Sequence, residues 1–273
     1  MTTKKNQIVV YGCFFGAPEP FNPTSLGTGE GYDRVLVTDR KDLSVPDGIR
    51  LLHQRSDALG PLHESRRAKL MPHLFFPEHT WSIYVDNRAS LVSSPAEIID
   101  RISQQLTAPP TPGRYLFRHQ TRQFVRDELD TCYQVGLFNE ETWRLLHRTF
   151  QSVDLPHTPD LTQNTIMIQM AGDVKTDELN ALWFELFLRY CRRDQLTLNL
   201  AEHIGRQKWT RLDFPMTEVA DWPVIRDDQR AREIRSNTVD KPRALSFARI
   251  LYKRRKNRIL RNIVKMKESH GLP

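Results

Sequence analysis

The chain has 273 residues, 39% hydrophobic and 27% charged, with net charge +7. That composition supports a packed α/β core and excludes a globally disordered chain. No apolar run approaches the roughly 18 residues of a membrane span, and three widely spaced cysteines (Cys13, Cys132, Cys191) form neither a metal pattern nor an even disulfide set.

The positive charge is concentrated. Residues 241–273 hold 11 Lys/Arg and one Glu, so the rest of the chain sums to −3. The basic balance therefore belongs to a C-terminal segment and says little about the chemistry of the main domain. The opening MTTKKNQIVV runs straight into a strand without an apolar signal core or cleavage site, and the three scattered cysteines read as reduced cytoplasmic thiols.

In chain order, Ile8–Phe15 (IVVYGCFF) predicts a first buried strand, followed by a Pro/Gly-rich loop over 16–31. Arg34–Thr38 predicts a second strand closing on Asp39, and Ile49–His53 a weaker third. Glu64–His73 has helical spacing. Trp81–Val85 predicts a buried strand that delivers Asp86-Asn87. A carboxylate at such a strand end is costly unless a ligand, metal or hydrogen bond uses it, and in open α/β sheets ligands bind at that edge.

Ser94-Pro95-Ala96-Glu97 spells a capping box with proline at the first helical position, predicting a helix to about Leu106. Tyr115–Arg118 predicts another strand. Helices follow over 121–135 and 140–150, then a strand over 165–170. A long helix capped by Thr176 and a last one over 194–204 complete the pattern. Alternating strands and helices argue for an α/β architecture. The domain boundaries read as one domain over 1–235 and a basic helical tail over 236–273. Neither a dinucleotide fingerprint nor a phosphate loop of the Walker type is present, which disfavours dehydrogenases and ATPases.

Several segments together resemble one family: IVVYGCFFG at 8–16, VLVTD at 35–39, RRAKLMPHLFFPEHTWSIYVDN at 66–87, HQTR at 119–122 with Glu128, and CRRDQLTL at 191–198. They resemble the glycosyltransferase-like family that includes the plant turgor-regulation-defect and mucilage-related proteins and has bacterial members. The resemblance implies a GT-A-like (Rossmann-like) mixed sheet flanked by helices, and transfer of a sugar from a nucleoside-diphosphate sugar to a glycan or glycolipid, as in surface polysaccharide synthesis.

Residue by residue, the resemblance assigns Asp86 to the first carboxylate of an Asp-x-Asp motif that would hold Mn or Mg on the diphosphate. Asn87 follows, and Arg88 stands where the second carboxylate is expected. Metal dependence is therefore left open, with Arg88 as an alternative charge on the phosphates. Tyr11, Asp39, Arg66 and Lys69 fall to the nucleotide. His119, Arg122, Arg193 and Gln195 fall to the donor sugar or acceptor, with Asp86, Asp194 and Glu128 as candidate catalytic carboxylates. His73 stands beside them as a supporting residue. Each has a plainer reading: Arg66 and Lys69 as a solvated helix face, Asp39 as a turn cap, Asp194 as a helix-start acid.

On a helical projection Tyr252, Ile259, Ile263 and Met266 gather among basic residues, which suits an anionic membrane surface or a helix docked on its own domain. Nucleic acid is not expected as a partner. The alternative function is a catalytically inactive binding module whose basic tail contacts membrane or nucleic acid.

Overall fold

The computed structural model describes residues 7–16, 19–157 and 159–225. The expected boundary at 235/236 and the basic segment 236–273 lie outside the described residues. No described helix is long and apolar enough to cross a membrane.

The strands are β1 (Ile8–Phe14), β2 (Asp33–Thr38), β3 (Ile49–His53), β4 (Trp81–Val85), β5 (Ser90–Leu91), β6 (Gly113–Arg118), β7 (Thr162–Met170), β8 (Thr210–Leu212) and β9 (Ala220–Asp221). Seven form one mixed sheet in the order β3-β2-β1-β4-β7-β6-β8, and β5 pairs with β9. Strands β3, β2, β1 and β4 are mutually parallel. Strand β7 alone runs against its neighbours β4 and β6, and β8 lies parallel to β6. Strand order reverses beside β1, so a crevice opens at the carboxyl ends of β1 and β4.

Side chains alternate across this sheet as the period of two requires. Val9, Tyr11, Val35, Val37, Tyr84, Leu116 and Met167 face one apolar cluster. Val10, Phe14, Leu36, Ile83, Val85, Tyr115, Phe117, Ile166 and Ile168 face the other. Helices α1 (Pro61–Leu70), α4 (Val125–Gln134), α6 (Val174–Arg189) and α7 (Asp194–Gly205) cover the first face through residues such as Leu70, Leu129, Trp183 and Leu196. Helix α3 (Pro95–Leu106) covers the second through Ile98 and Ile102. Each fully buried aliphatic side chain contributes about 1.5–3 kcal/mol.

The Ser94 box forms as the sequence spells it: its side chain accepts from Glu97 N–H and Glu97 returns the bond. Several boundaries differ from the sequence reading, three of them for a clear local reason. The helix expected to end at Pro72 closes at Leu70 with Met71 as its cap, and the short α2 (Pro72–Phe75) starts afresh at Pro72, which has no N–H to continue the ladder. Helix α6 is capped by Asp173 rather than Thr176; the Asp173 carboxylate accepts from the backbone of Lys175 and Thr176 and from the Thr176 hydroxyl. Helix α4 begins at Val125 rather than 121, because the Thr121 and Arg122 N–H groups donate to His119 Nδ1 in a turn. Helix α5 (Glu140–Gln151) follows its prediction closely.

Candidate functional site

A cavity of about 490 Å³ opens at the crevice where strand order reverses. Strand β1 supplies its end residues Cys13 to Gly16, β4 supplies Tyr84 and the following Asp86 to Arg88, and α1 presents Ser65, Arg66 and Lys69. The start of β7 contributes Gln163 to Thr165, the segment after β6 contributes His119 and Arg122, and the start of α7 contributes Arg193 to Gln195. Gly16 sits at φ +49 with Pro61 where a Cβ would come within 2.9 Å, so only glycine lets the β1 loop meet α1 here.

Asp86 is fixed by its backbone. Its N–H donates to the Thr165 carbonyl at 2.9 Å, continuing the β4–β7 ladder, and its Oδ1 accepts from Arg88 N–H at 3.0 Å. Asn87 is tied to the 20–22 loop, accepting from Asn22 N–H and donating to the Pro20 carbonyl. The Arg88 Nε donates to the Ile225 carbonyl, which draws the chain carrying Trp222 to the rim.

Lys69 and Asp194 form a buried ion pair, Nζ to Oδ2 at 2.6 Å. Burial pushes the Asp194 carboxyl up, but Lys69, Arg66 and Arg193 outweigh it and hold it well below the usual carboxylate range. Burial lowers the Lys69 ammonium while Asp194 opposes that shift. We read the pair as ionised at neutral pH, since each charge is the other's principal compensation. Lys69 also lies over the Tyr84 ring at 4.8 Å. For Arg66, burial works against the charge, and Asp194, Tyr84 and Asp86 more than offset it, leaving its pKa above the ordinary value. Its Nε is buried and has no hydrogen-bond partner.

Glu128 is 1% exposed and lies behind the cavity wall. Its two oxygens take Arg122 Nε and Arg193 Nε, each at 2.7 Å, and Cys132 Sγ donates to it. Arg122 Nη2 also stands 2.8 Å from His119 Nε2. Burial, seconded by Arg122, brings the His119 pKa down to about 4, so its imidazole is neutral at neutral pH. Burial likewise pushes the Cys13 thiol up to about 12, which leaves it protonated and unsuited to nucleophilic work.

Of the residues singled out from sequence, the fold brings Arg66, Lys69, Asp86, Asn87, Arg88, His119, Arg122, Arg193, Asp194 and Gln195 to one cavity. Tyr11, Asp39 and Glu128 do not line it. Tyr11 is core, and its hydroxyl donates to the Lys69 carbonyl. Asp39 spends both oxygens on Gly16 N–H and the Ser56 hydroxyl, so it holds the rim loop. Glu128 is screened by its two arginines. His73 pairs with Asp177 at 3.3 Å, outside the cavity. The buried Thr162-Gln163-Asn164 run was missed; three polar residues heading an apolar strand are the signal that marks it.

The residues present do not fit a divalent cation. Among the described residues, no three His, Cys, Asp or Glu side chains converge to hold a metal. Hard cations seek several anionic oxygens. Here Asp194 is committed to Lys69 and Glu128 to two arginines, Glu19 accepts from the Asn87 amide, and Asp86 lies within electrostatic reach of Arg66 and Lys69. The cavity instead gathers five cationic side chains: Arg66, Lys69, Arg88, Arg122 and Arg193.

Among solved structures, the chain is similar to the apo form of the WbbM bifunctional glycosyltransferase, with TM-score 0.47 and 10% identity over 79% of this chain and 40% of that one. It is similar to apo mouse xyloside xylosyltransferase 1, with TM-score 0.45 and 11% identity over 76% of this chain and 85% of that one. The chain thus spans well under two thirds of WbbM. No curated protein matches. The model of the TOD1/MUCI70 glycosyltransferase-like domain matches residues 61–221, from the first residue of α1 to the end of β9. With more than half of its length in that match, including most of the cavity wall, the chain belongs to the TOD1/MUCI70 glycosyltransferase-like family.

Proposed function

We propose that the protein is an active glycosyltransferase of GT-A type, moving a sugar from a nucleoside-diphosphate sugar to a glycan or glycolipid hydroxyl. The observation that carries this reading is a cation-rich cavity at the carboxyl ends of parallel strands, with Asp86 at the mouth of β4. Such a cavity suits a ligand that is anionic at one end and hydroxyl-rich at the other. In the transfer, the acceptor oxygen forms the new bond to the anomeric carbon and gives up its proton. The electron pair of the old bond leaves on the diphosphate.

Asp86 is the carboxylate placed to hold a sugar hydroxyl or receive the acceptor proton. Asp194 suits that task poorly, because its lowered pKa makes it a weak base. Gln195 and His119, the latter neutral, are suited to sugar hydroxyls. The 11 Lys/Arg of 241–273 support an anionic membrane surface as the place where a lipid-linked acceptor is met, in a cytoplasmic protein serving surface polysaccharide synthesis.

The test is a panel of sugar nucleotides scored for thermal shift and for slow hydrolysis without acceptor. One nucleotide family should stabilise the protein and lose its sugar, and Asp86→Asn should retain binding but not turnover. A panel in which nothing binds and nothing is cleaved removes this reading.

A further inference from the structure

The strongest features outside the role given to Asp86 are the arginines around Glu128. We infer that the donor diphosphate is gripped by Arg122, Arg193 and Arg66 without a divalent cation, and that Glu128 is the positioning residue that sets the first two. This rests on the donor reading above and specifies how the charge of the leaving group is met.

The geometry argues it in three steps. First, Arg122 and Arg193 come from separate parts of the chain, yet each sets its Nε 2.7 Å from an oxygen of the same carboxylate, Arg193 as a hydrogen bond and Arg122 as an ion pair. One negative charge therefore steadies two positive ones and leaves a local excess of one cation. The side chains are 28% and 34% exposed while Glu128 is 1% exposed, so the arginines extend from a buried anchor toward the cavity they line. Guanidinium groups anchored at Nε turn their terminal nitrogens to the cavity, where such groups bind oxyanions; on Arg122 one of these, Nη2, already stands 2.8 Å from His119 Nε2.

Second, Arg66 brings a buried Nε with no hydrogen-bond partner to the same cavity. An unmet buried donor on a cation is costly, and an oxyanion in the cavity would satisfy it. Third, Asp194 and Glu128 are already neutralised by Lys69 and by the arginines themselves, which leaves Asp86 and Glu19 as the remaining carboxylates, too few anionic oxygens for a hard cation. Preplaced cations can stabilise a departing diphosphate as a metal would, because the requirement is positive charge where negative charge develops.

The experiment is calorimetry and thermal shift with UDP, GDP, CDP and ADP on the full chain, each with EDTA and with Mn²⁺. The nucleotide that binds should do so with affinities within about threefold in the two conditions, and raised salt should weaken it. Arg122→Lys and Arg193→Lys keep the charge but lose the fork, and each should weaken binding in EDTA by about tenfold. Glu128→Gln, which lies behind the wall, should lose similar affinity through its arginines; if that variant fails to fold, the two lysine variants decide. Binding that appears only with Mn²⁺, or lysine variants that bind as well as the parent, overturns the inference and leaves the donor reading standing. Absence of binding by all four nucleotides in both conditions overturns both.

Discussion

Lys69 Nζ lies 2.6 Å from Asp194 Oδ2, with both side chains more than nine-tenths buried. The pair joins α1 to the start of α7 across 125 positions of sequence, at the wall of the cavity. Removing one partner leaves an uncompensated buried charge. Lys69→Met should therefore cost about 3–5 kcal/mol in urea unfolding, and the double variant Lys69→Met with Asp194→Leu should recover much of that loss. A single variant as stable as the parent would show that the pair is not ionised.

The same carboxylate gives an acid signature. Because the folded Asp194 pKa is depressed, its stabilisation is fully present above the unfolded value of about 3.9. It is lost as pH falls below that value toward the folded one. Asp194→Asn should be the less stable protein at pH 7, and the gap should narrow in melts taken below about pH 4.

Asp86→Asn tests charge without disturbing the turn, since an amide oxygen can still accept the Arg88 N–H that Oδ1 now takes. Transfer should fall on the order of 10²–10³-fold, the loss seen when a group stabilising the transition state is removed. Stability should change by less than about 1 kcal/mol. Undiminished transfer would remove Asp86 from the chemistry.

His119 should titrate near 4 rather than near its ordinary 6.5, which proton NMR of the imidazole can follow. Between those values the unfolded chain binds a proton that the folded one refuses, so stability rises with pH through this window. His119→Gln should flatten that rise: acidification from pH 7 to 5 should lower the variant's Tm less than the parent's.

Arg114 is buried, with the Asp177 carboxylate within electrostatic reach. Its Nε donates to Gln169 Oε1, another nitrogen donates to the Leu70 carbonyl, and its guanidinium lies 5.3 and 5.2 Å from the rings of Trp183 and Trp209. Arg114→Lys keeps the charge but loses the planar fork and stacking, at a cost of about 2–4 kcal/mol, while nucleotide affinity should hold. A thermal melt paired with calorimetry separates the two effects.

What the sequence made legible was local. The apolar runs of β1 and β4 and the Ser-Pro-Ala-Glu start of α3 each carry their own periodicity or cap, and each forms where expected. The three residues of β8 and the two-residue β5 and β9 are too short for any period to mark. At the site, Asp86 followed from strand pattern and Arg193 and Asp194 from the family segment. The pairing of Glu128 with Arg122 and Arg193, and of Lys69 with Asp194, depends on contacts that only the folded sheet creates. The resemblance assigns Asp39 and Tyr11 to the nucleotide, whereas in the folded chain their polar atoms are engaged by Gly16, Ser56 and the Lys69 carbonyl, contacts that no local pattern announces.

The lone reversed strand has a consequence for how the pocket is assembled. The first residues of β7 and the one before it offer carbonyls to three separate parts of the cavity: Thr165 to Asp86 N–H, Leu161 to His119 N–H, and Thr162 to the Gln195 amide. A slip of one residue in this strand would turn its inward side chains outward and misalign all three partners together. The strand thus acts as a common ruler, so correct alignment of the hydrophobic layers and completion of the pocket are achieved in the same event.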